Sequence, residues 1–182
     1  MIKERKLSNG KELIIRPPVV EDASSLIEHM KVVDTETRYL GREAGEFSFT
    51  LKQEEAFIKG IQSNKMMCFY LAIVDGQVIG NVSVGIVRNN LRFLHRASIG
   101  ITVQKKLWRQ GIGKDLLHCA IEWCKTNGIE QLELEVISSN TRAIELYKSY
   151  GFEIYGTLKH ALKYGDKTYA DEYKMVLMLG DL

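Results

Sequence analysis

The sequence predicts a mixed α+β fold, a central sheet with helices on both faces, and three observations carry that prediction. Two apolar periodicities alternate along the chain in the order β, α, α, β, β, β, α, β, α, β, β. Strand-like runs on either side of Asp75-Gly76 call for antiparallel pairing, because that dipeptide accepts the positive φ angles of a tight hairpin. Where a helical pattern separates two strands, as in "ASIGITV", "IGKDLLHCAIEWCK" and "QLELEVI", a parallel pair with a crossover is expected.

The elements follow in turn. "IKERKLSNGKELIIRPP" reads as two short extended pieces around Asn9-Gly10, with a first strand near Glu12 to Arg16 ended by Pro17 and Pro18. Ala23, Leu26, Ile27 and Met30 have helical spacing between Val20 and Val33, and Leu51, Ala56, Phe57 and Ile61 repeat it. The segment between, "DTETRYLGREAGEFSF", has no clear period and reads as a loop or broken helix that could wall a substrate. Next, "MMCFYLAIVDGQVIGNVSVGIV" and "LRFLHRASIGITV" are rich in β-branched and aromatic residues and give three consecutive antiparallel strands. A helix from Ile112 ends near Asn127-Gly128, a strand "QLELEVI" follows, and a helix from about Asn140 to Tyr150 is closed by Gly151. "FEIYGTLKHALKY" and "KTYADEYKMVLML" are the last two strands, around Gly165-Asp166.

With 182 residues, 45% of them hydrophobic, the chain is expected to be one domain over 1–182. Its 25 basic and 23 acidic residues are interspersed, which argues against a nucleic-acid or membrane-surface partner and for a smaller one. Cys68, Cys119 and Cys124 lack zinc-ligand spacing and sit in apolar runs, so they read as reduced core residues; no metal site is expected. The start "MIKERKLSNG" lacks a signal-peptide apolar region, and no apolar run approaches the roughly 18 residues of a membrane span, so a cytoplasmic location is expected.

The stretch "LWRQGIGKDLLHCAIEWCK" raises the functional question. A helix leaves its first four N–H groups without internal partners, and no Ser, Thr, Asp or Asn precedes Ile112 to accept from them. G-x-G between a strand and a helix lets the backbone approach an anion, and the helix N-terminus adds partial positive charge. A phosphate-bearing ligand can therefore serve as the cap, with Arg109 and Lys114 adding charge; a flexible surface turn is the plain alternative. A dinucleotide fold would need G-x-G-x-x-G and a P-loop G-x-x-x-x-G-K-[ST], and neither occurs.

A second motif, "LELEVISSNTRAIELYKSYGF", joins the first. Together with "ITVQKKLWRQGIGKDLL" it resembles the GNAT superfamily of acetyl-CoA-dependent N-acetyltransferases, including those that acetylate ribosomal-protein N-termini. Val103, Gly111, Gly113, Glu135, Val136, Asn140, Ala143, Leu146, Tyr147, Gly151 and Phe152 fall in register with the family pattern over residues 95–155; Trp108 departs from it, standing where Arg or Gln is usual. The resemblance implies a mostly antiparallel sheet of about seven strands with a splayed strand pair, ending at Val103 and Val136, and a bulge near Gly100. It also implies that acetyl-CoA is the cosubstrate, held by Ile101, Thr102 and Val103, by Arg109, Gln110, Gly111, Ile112, Gly113 and Lys114 around its diphosphate, and by Asn140, Ala143 and Tyr147. The acceptor is an amine, and dimerisation is common among such proteins.

The resemblance points to the remaining roles, and chemistry says how they could work. An amine attacks the thioester carbonyl and CoA leaves as a thiolate that needs a proton; a phenol of pKa about 10 can supply it to a thiolate whose reference value is about 8.5. Tyr147 is the candidate acid, although its place in the stripe Ala143, Leu146, Tyr147, Tyr150 also suits a core residue. Glu135 matches the position of a general base in the ribosomal-protein acetyltransferases that the chain resembles, which makes it the candidate base, through a water relay, or else a solvated strand residue. His95 is its rival on pKa alone, and Asn140 also suits a helix N-cap. Glu36, Glu43, Glu46, Asp171 and Glu172 are candidates for attracting a cationic amine. A CoA-binding regulatory module without catalysis is the competing function.

Overall fold

The computed structural model describes residues 2–180. Its strands are β1 (Lys3–Lys6), β2 (Glu12–Arg16), β3 (Met67–Val74), β4 (Gln77–Ile86), β5 (Arg96–Val103), β6 (Gln131–Ile137), β7 (Glu153–Lys163) and β8 (Tyr169–Met178). The helices are α1 (Ala23–Glu36), α2 (Leu51–Ser63), α3 (Ile112–Thr126) and α4 (Thr141–Lys148). The strands form one eight-stranded sheet in the order β1-β2-β3-β4-β5-β6-β8-β7, antiparallel except for β5 beside β6. The expected seven strands become eight because both pieces around Asn9-Gly10 pair, Lys3 opposite Ile15. Charged "KERK" carries no apolar alternation, so periodicity could not show it as a strand.

Strand β3 explains the layering. Its residues are apolar on both faces and almost all buried. Phe69, Leu71 and Ile73 pack against Ala23 and Leu26 of α1 and Ile58 and Ile61 of α2. Cys68, Tyr70, Ala72 and Val74 point the other way, into the larger core with Leu116, Leu117, Ala120 and Cys124 of α3. Each such Leu or Ile contributes about 1.5–3 kcal/mol by burial. All three cysteines are free and buried, and burial pushes the Cys68 and Cys124 thiols up to about 12, so a thiolate acyl carrier is unavailable to them at neutral pH.

Local signals fix the ends. Thr50 Oγ1 accepts from the Gln53 N–H at 3.3 Å and Gln53 Oε1 accepts from the Thr50 N–H at 2.9 Å, a reciprocal cap that starts α2. Asn140 Oδ1 accepts from the Ala143 N–H and starts α4. Helix α1 runs beyond Val33 to Glu36, and buried Asp34 on this extra turn accepts two bonds from Arg42, at 2.9 and 3.0 Å, which ties the following loop back onto the helix. The bulge expected at Gly100 is absent from the β4–β5 pairing, which runs in register from Gly80 opposite Val103 to Ile86 opposite Ala97; register shifts fall instead at Ala72/Ile73 of β3 and at Ile154/Gly156 and Leu158/Leu162 of β7.

Beneath the cleft described below lies a buried polar network that apolar patterning did not anticipate. The Thr102 hydroxyl donates to Asn81 Oδ1 at 2.5 Å, so it accepts from His29 Nε2 at 2.7 Å, and His29 Nδ1 is left to accept from Gln104 Nε2 at 3.4 Å. Burial lowers the His29 pKa from 6.5 to about 4. The unfolded chain takes up this proton near pH 6.5 and the folded chain only near pH 4. Stability is therefore whole above pH 6.5 and declines as pH falls toward 4, by about 3 kcal/mol in all. Melting curves at pH 7 and pH 4.5 are expected to show a larger loss for the wild type than for His29→Gln; equal losses would remove His29 as the cause.

Candidate functional site

Strands β5 and β6 pair only where Arg96–Ser98 lie opposite Gln131–Glu133. Beyond that they diverge, and a cleft of about 940 Å³ opens between them, within the range of small-molecule sites. Backbone alternation tells which groups line the gap. The Gln104 N–H bonds to Ile79 on β4, while the His95 carbonyl accepts from Gln131 on the β6 side. Ile99, Ile101 and Val103 consequently aim their peptide groups into the gap, and Thr102 aims its own at β4. By the same rule, set by Ser138 N–H bonding to Asp171, Glu135 and Ile137 face the gap from β6. Of the three β5 residues expected to hold a ligand through the backbone, Ile101 and Val103 are so placed. Thr102 is not: its hydroxyl serves the buried His29 network.

At the wide end of the gap the chain turns into α3. Arg109 and Gly111 both have left-handed backbones, φ 63° and 78°, a turn that gathers successive amides on one side. Gly111 provides no side-chain cap, and the first backbone bond of the helix runs from Asp115 N–H to its carbonyl, so the amides up to Lys114 precede the ladder. Arg109, Gly111, Ile112, Gly113 and Lys114 line the cleft. Gln110 turns away: its side chain accepts from the Ser8 N–H and hydroxyl, and its carbonyl accepts from Arg5 at 2.5 Å. Arg5 and Lys3 also clamp Asp115, at 2.6 and 2.5 Å, so the β1 hairpin buttresses this turn from behind.

The unusual Trp108 has a structural role. Its indole N–H donates to the Val103 carbonyl at 2.7 Å, and the Arg142 guanidinium lies 4.6 Å over its ring. Arg142, which sequence reasoning passed over, has its pKa lowered by desolvation and then by Arg109. Two cations brought together at a helix N-terminus fit a di-anion well. No signal in the sequence distinguishes Arg142 from any surface arginine, because its like-charged neighbour belongs to another element.

Asn140, Ala143 and Tyr147 line the same cleft from α4. Tyr147 is half-buried against Phe152, ring centroids 5.6 Å apart, and burial pushes its phenol up to about 12. Its hydroxyl makes no hydrogen bond to protein among the described residues, so it is free to meet a ligand.

On the sheet face toward α1, Glu135 lies opposite Lys174 and forms an ion pair with it. Glu172, one pleat along β8, also lines the cleft and lies 3.7 Å from the Lys174 ammonium. An outer groove of about 1090 Å³ adjoins the cleft, sharing Thr37, Tyr39 and Trp108 with it. The α1–α2 loop is clasped to the β7–β8 turn across this groove: Tyr164 donates to the Arg38 carbonyl at 2.9 Å, and the Gly165 N–H donates to Glu43 at 2.7 Å.

Other expected acids are otherwise engaged. Glu36 accepts from the Lys105 N–H at 2.7 Å, Glu46 from the Glu43 N–H at 2.9 Å, and Asp171 pairs with Lys159 at 2.7 Å. His95 precedes β5 at its paired end and is not among the residues that line the cleft.

The family model of the acetyltransferase (GNAT) family matches residues 33–152. The L-amino acid N-acetyltransferase AaaT of Escherichia coli is 37% identical over 107 residues, which cover 58% of this chain and 64% of that protein; the match thus spans just under two thirds of its length. The crystal structure of a GNAT-family acetyltransferase from Streptococcus pneumoniae superposes with a TM-score of 0.86 at 29% identity, covering 92% of this chain and 99% of that one. The protein yncA of Salmonella typhimurium, solved with its cofactor acetyl-CoA, shares the fold with a TM-score of 0.81 at 20% identity, over 93% and 95% of the two chains.

Proposed function

The chain belongs to the GNAT family of acetyltransferases, and on that premise we propose that it transfers the acetyl group of acetyl-CoA directly to a primary amine. The observation that carries the reading is the gap between β5 and β6, open at its wide end onto the uncapped amides of α3. Pantetheine has two amides, and the Ile101 peptide groups and the Val103 N–H can meet them as another strand would, the Val103 carbonyl already accepting from Trp108. The amides from Gly111 to Lys114, with Arg109 and Arg142, would hold the diphosphate. The Tyr147 phenol gives a proton to the departing thiolate, and removal of the amine proton falls to the carboxylates on the α1 side, where Glu135 is the one the motif marks. The reading includes a cytoplasmic location, and sedimentation of the purified chain tests a homodimer.

Thiol release from acetyl-CoA, measured across amino acids, peptides, polyamines and aminoglycosides, tests the activity. An enzyme releases CoA with at least one class. Tight acetyl-CoA binding without release from any of them would instead make the chain a CoA-binding regulatory module.

A further inference from the structure

Glu135 and Glu172 differ in what surrounds them. The Glu135 side chain is 60% exposed and holds the Lys174 ammonium directly. The Glu172 side chain is 14% exposed, and its distance to Lys174, 3.7 Å, is that of a looser pair. A carboxylate tied to a lysine and bathed in water is a weak base, whereas one shielded from water and set beside a second carboxylate binds a proton more strongly. Burial, then the neighbouring Glu135, raises the Glu172 pKa. The charges facing it are Glu135 from β6 and Lys174 from β8, with the Tyr155 phenol in electrostatic reach of Lys174. Across the cleft, Arg42 is already matched by Asp34. Two carboxylates and one ammonium leave a single negative charge, which an incoming ammonium ion neutralises.

We propose that the acceptor enters as an alkylammonium ion lodged against Glu172, and that Glu172, rather than Glu135, takes its proton. This rests on the acetyltransferase reading and deepens it by naming the base and the charge of the substrate. In the balanced step, one N–H bond of the ammonium breaks as an O–H bond forms on Glu172. The freed amine attacks the thioester carbon, the C–S bond breaks, and the sulfur takes the Tyr147 proton. The nitrogen, now forming the amide, returns a second proton to Tyr147. Glu172 finally releases its proton to water, so that acetyl-CoA and ammonium become amide, CoA thiol and one proton. Glu135 holds the Lys174 ammonium directly, which leaves Lys174 only the looser pair with Glu172.

The test compares n-butylamine, an alkylammonium at pH 7, with methoxyamine, uncharged at pH 7, as acceptors for the full chain. Glu172→Gln is expected to lower kcat/KM for n-butylamine by about 10²-fold and to abolish the acid limb of its pH profile, while methoxyamine and acetyl-CoA affinity change little. Glu172→Asp, which keeps the charge on a shorter arm, is expected to lie between and guards against a folding defect in the Gln variant. Equal losses for both amines, or a loss confined to Glu135→Gln, would overturn the assignment of Glu172 alone. A wild type that acetylates neither these nor any other amine would overturn the acetyltransferase reading itself.

Discussion

Tyr147→Phe is expected to cut kcat by about 10²–10³-fold while acetyl-CoA binds nearly as before. The phenylalanine keeps the ring that packs on Phe152, and the lost hydroxyl has no protein partner among the described residues, so stability should move by no more than ~0.5 kcal/mol. On the proposed mechanism, what disappears is a proton donor for the departing thiolate. Because burial holds the Tyr147 phenol near 12, the wild type keeps this donor protonated throughout the working range, and no loss of activity below about pH 10 should trace to its titration. Single-turnover kinetics with a weak and a strong thiol leaving group separate the roles: the variant should suffer more with the thioester whose thiol has the higher pKa. A uniform loss, or a matching loss of acetyl-CoA affinity, would make Tyr147 a wall of the cleft and not its acid.

The helices and central strands were legible because their apolar periods are long and undisturbed: Ile112 to Cys124 marks one face of α3, and β3 is apolar throughout. The turns were legible where chemistry dictates them, as at Asp75-Gly76, where both residues adopt positive φ. Strand β1 was legible only as an extended piece before Asn9-Gly10, since its pairing partner is apolar and it is not; its Lys3 and Arg5 serve an ion cluster with Asp115, which lies far along the chain. The site divides in the same way. The glycine turn, Asn140 and Tyr147 stand at fixed spacings within single elements, and a motif can show them. Glu172 stood out only as one of several acids and Arg142 not at all, because what sets them apart is brought from elsewhere in the fold, Glu135 with Lys174 and Arg109 with Trp108. Thr102 and Gln110 lie in segments expected to hold the cofactor, yet strand alternation turns one toward β4, and the hairpin draws the other to Ser8. Spacing gives the positions; which way each residue faces is decided by its partners.

Gly113→Asp should separate the demands of folding from those of binding by moving them in opposite directions. Gly113 is the second residue of α3 and has no positive φ, and an added Cβ would meet only Leu146 at an ordinary 3.4 Å. A carboxylate in the first turn favours the helix by about 0.3–1 kcal/mol, since it faces the positive end of the dipole. Thermal stability should therefore hold or rise. The same carboxylate stands where the amides before Asp115 would receive a diphosphate, and like charges about 5 Å apart near a protein surface repel by about 1–3 kcal/mol. Acetyl-CoA affinity is expected to fall by roughly 10- to 100-fold, with part of the loss relieved at high salt. Gly113→Ala, which adds the methyl without the charge, should bind nearly as the wild type does. Calorimetry on the three proteins reads both effects at once. Unchanged affinity in the Asp variant would place the diphosphate elsewhere and take with it the register that brings the thioester to Tyr147.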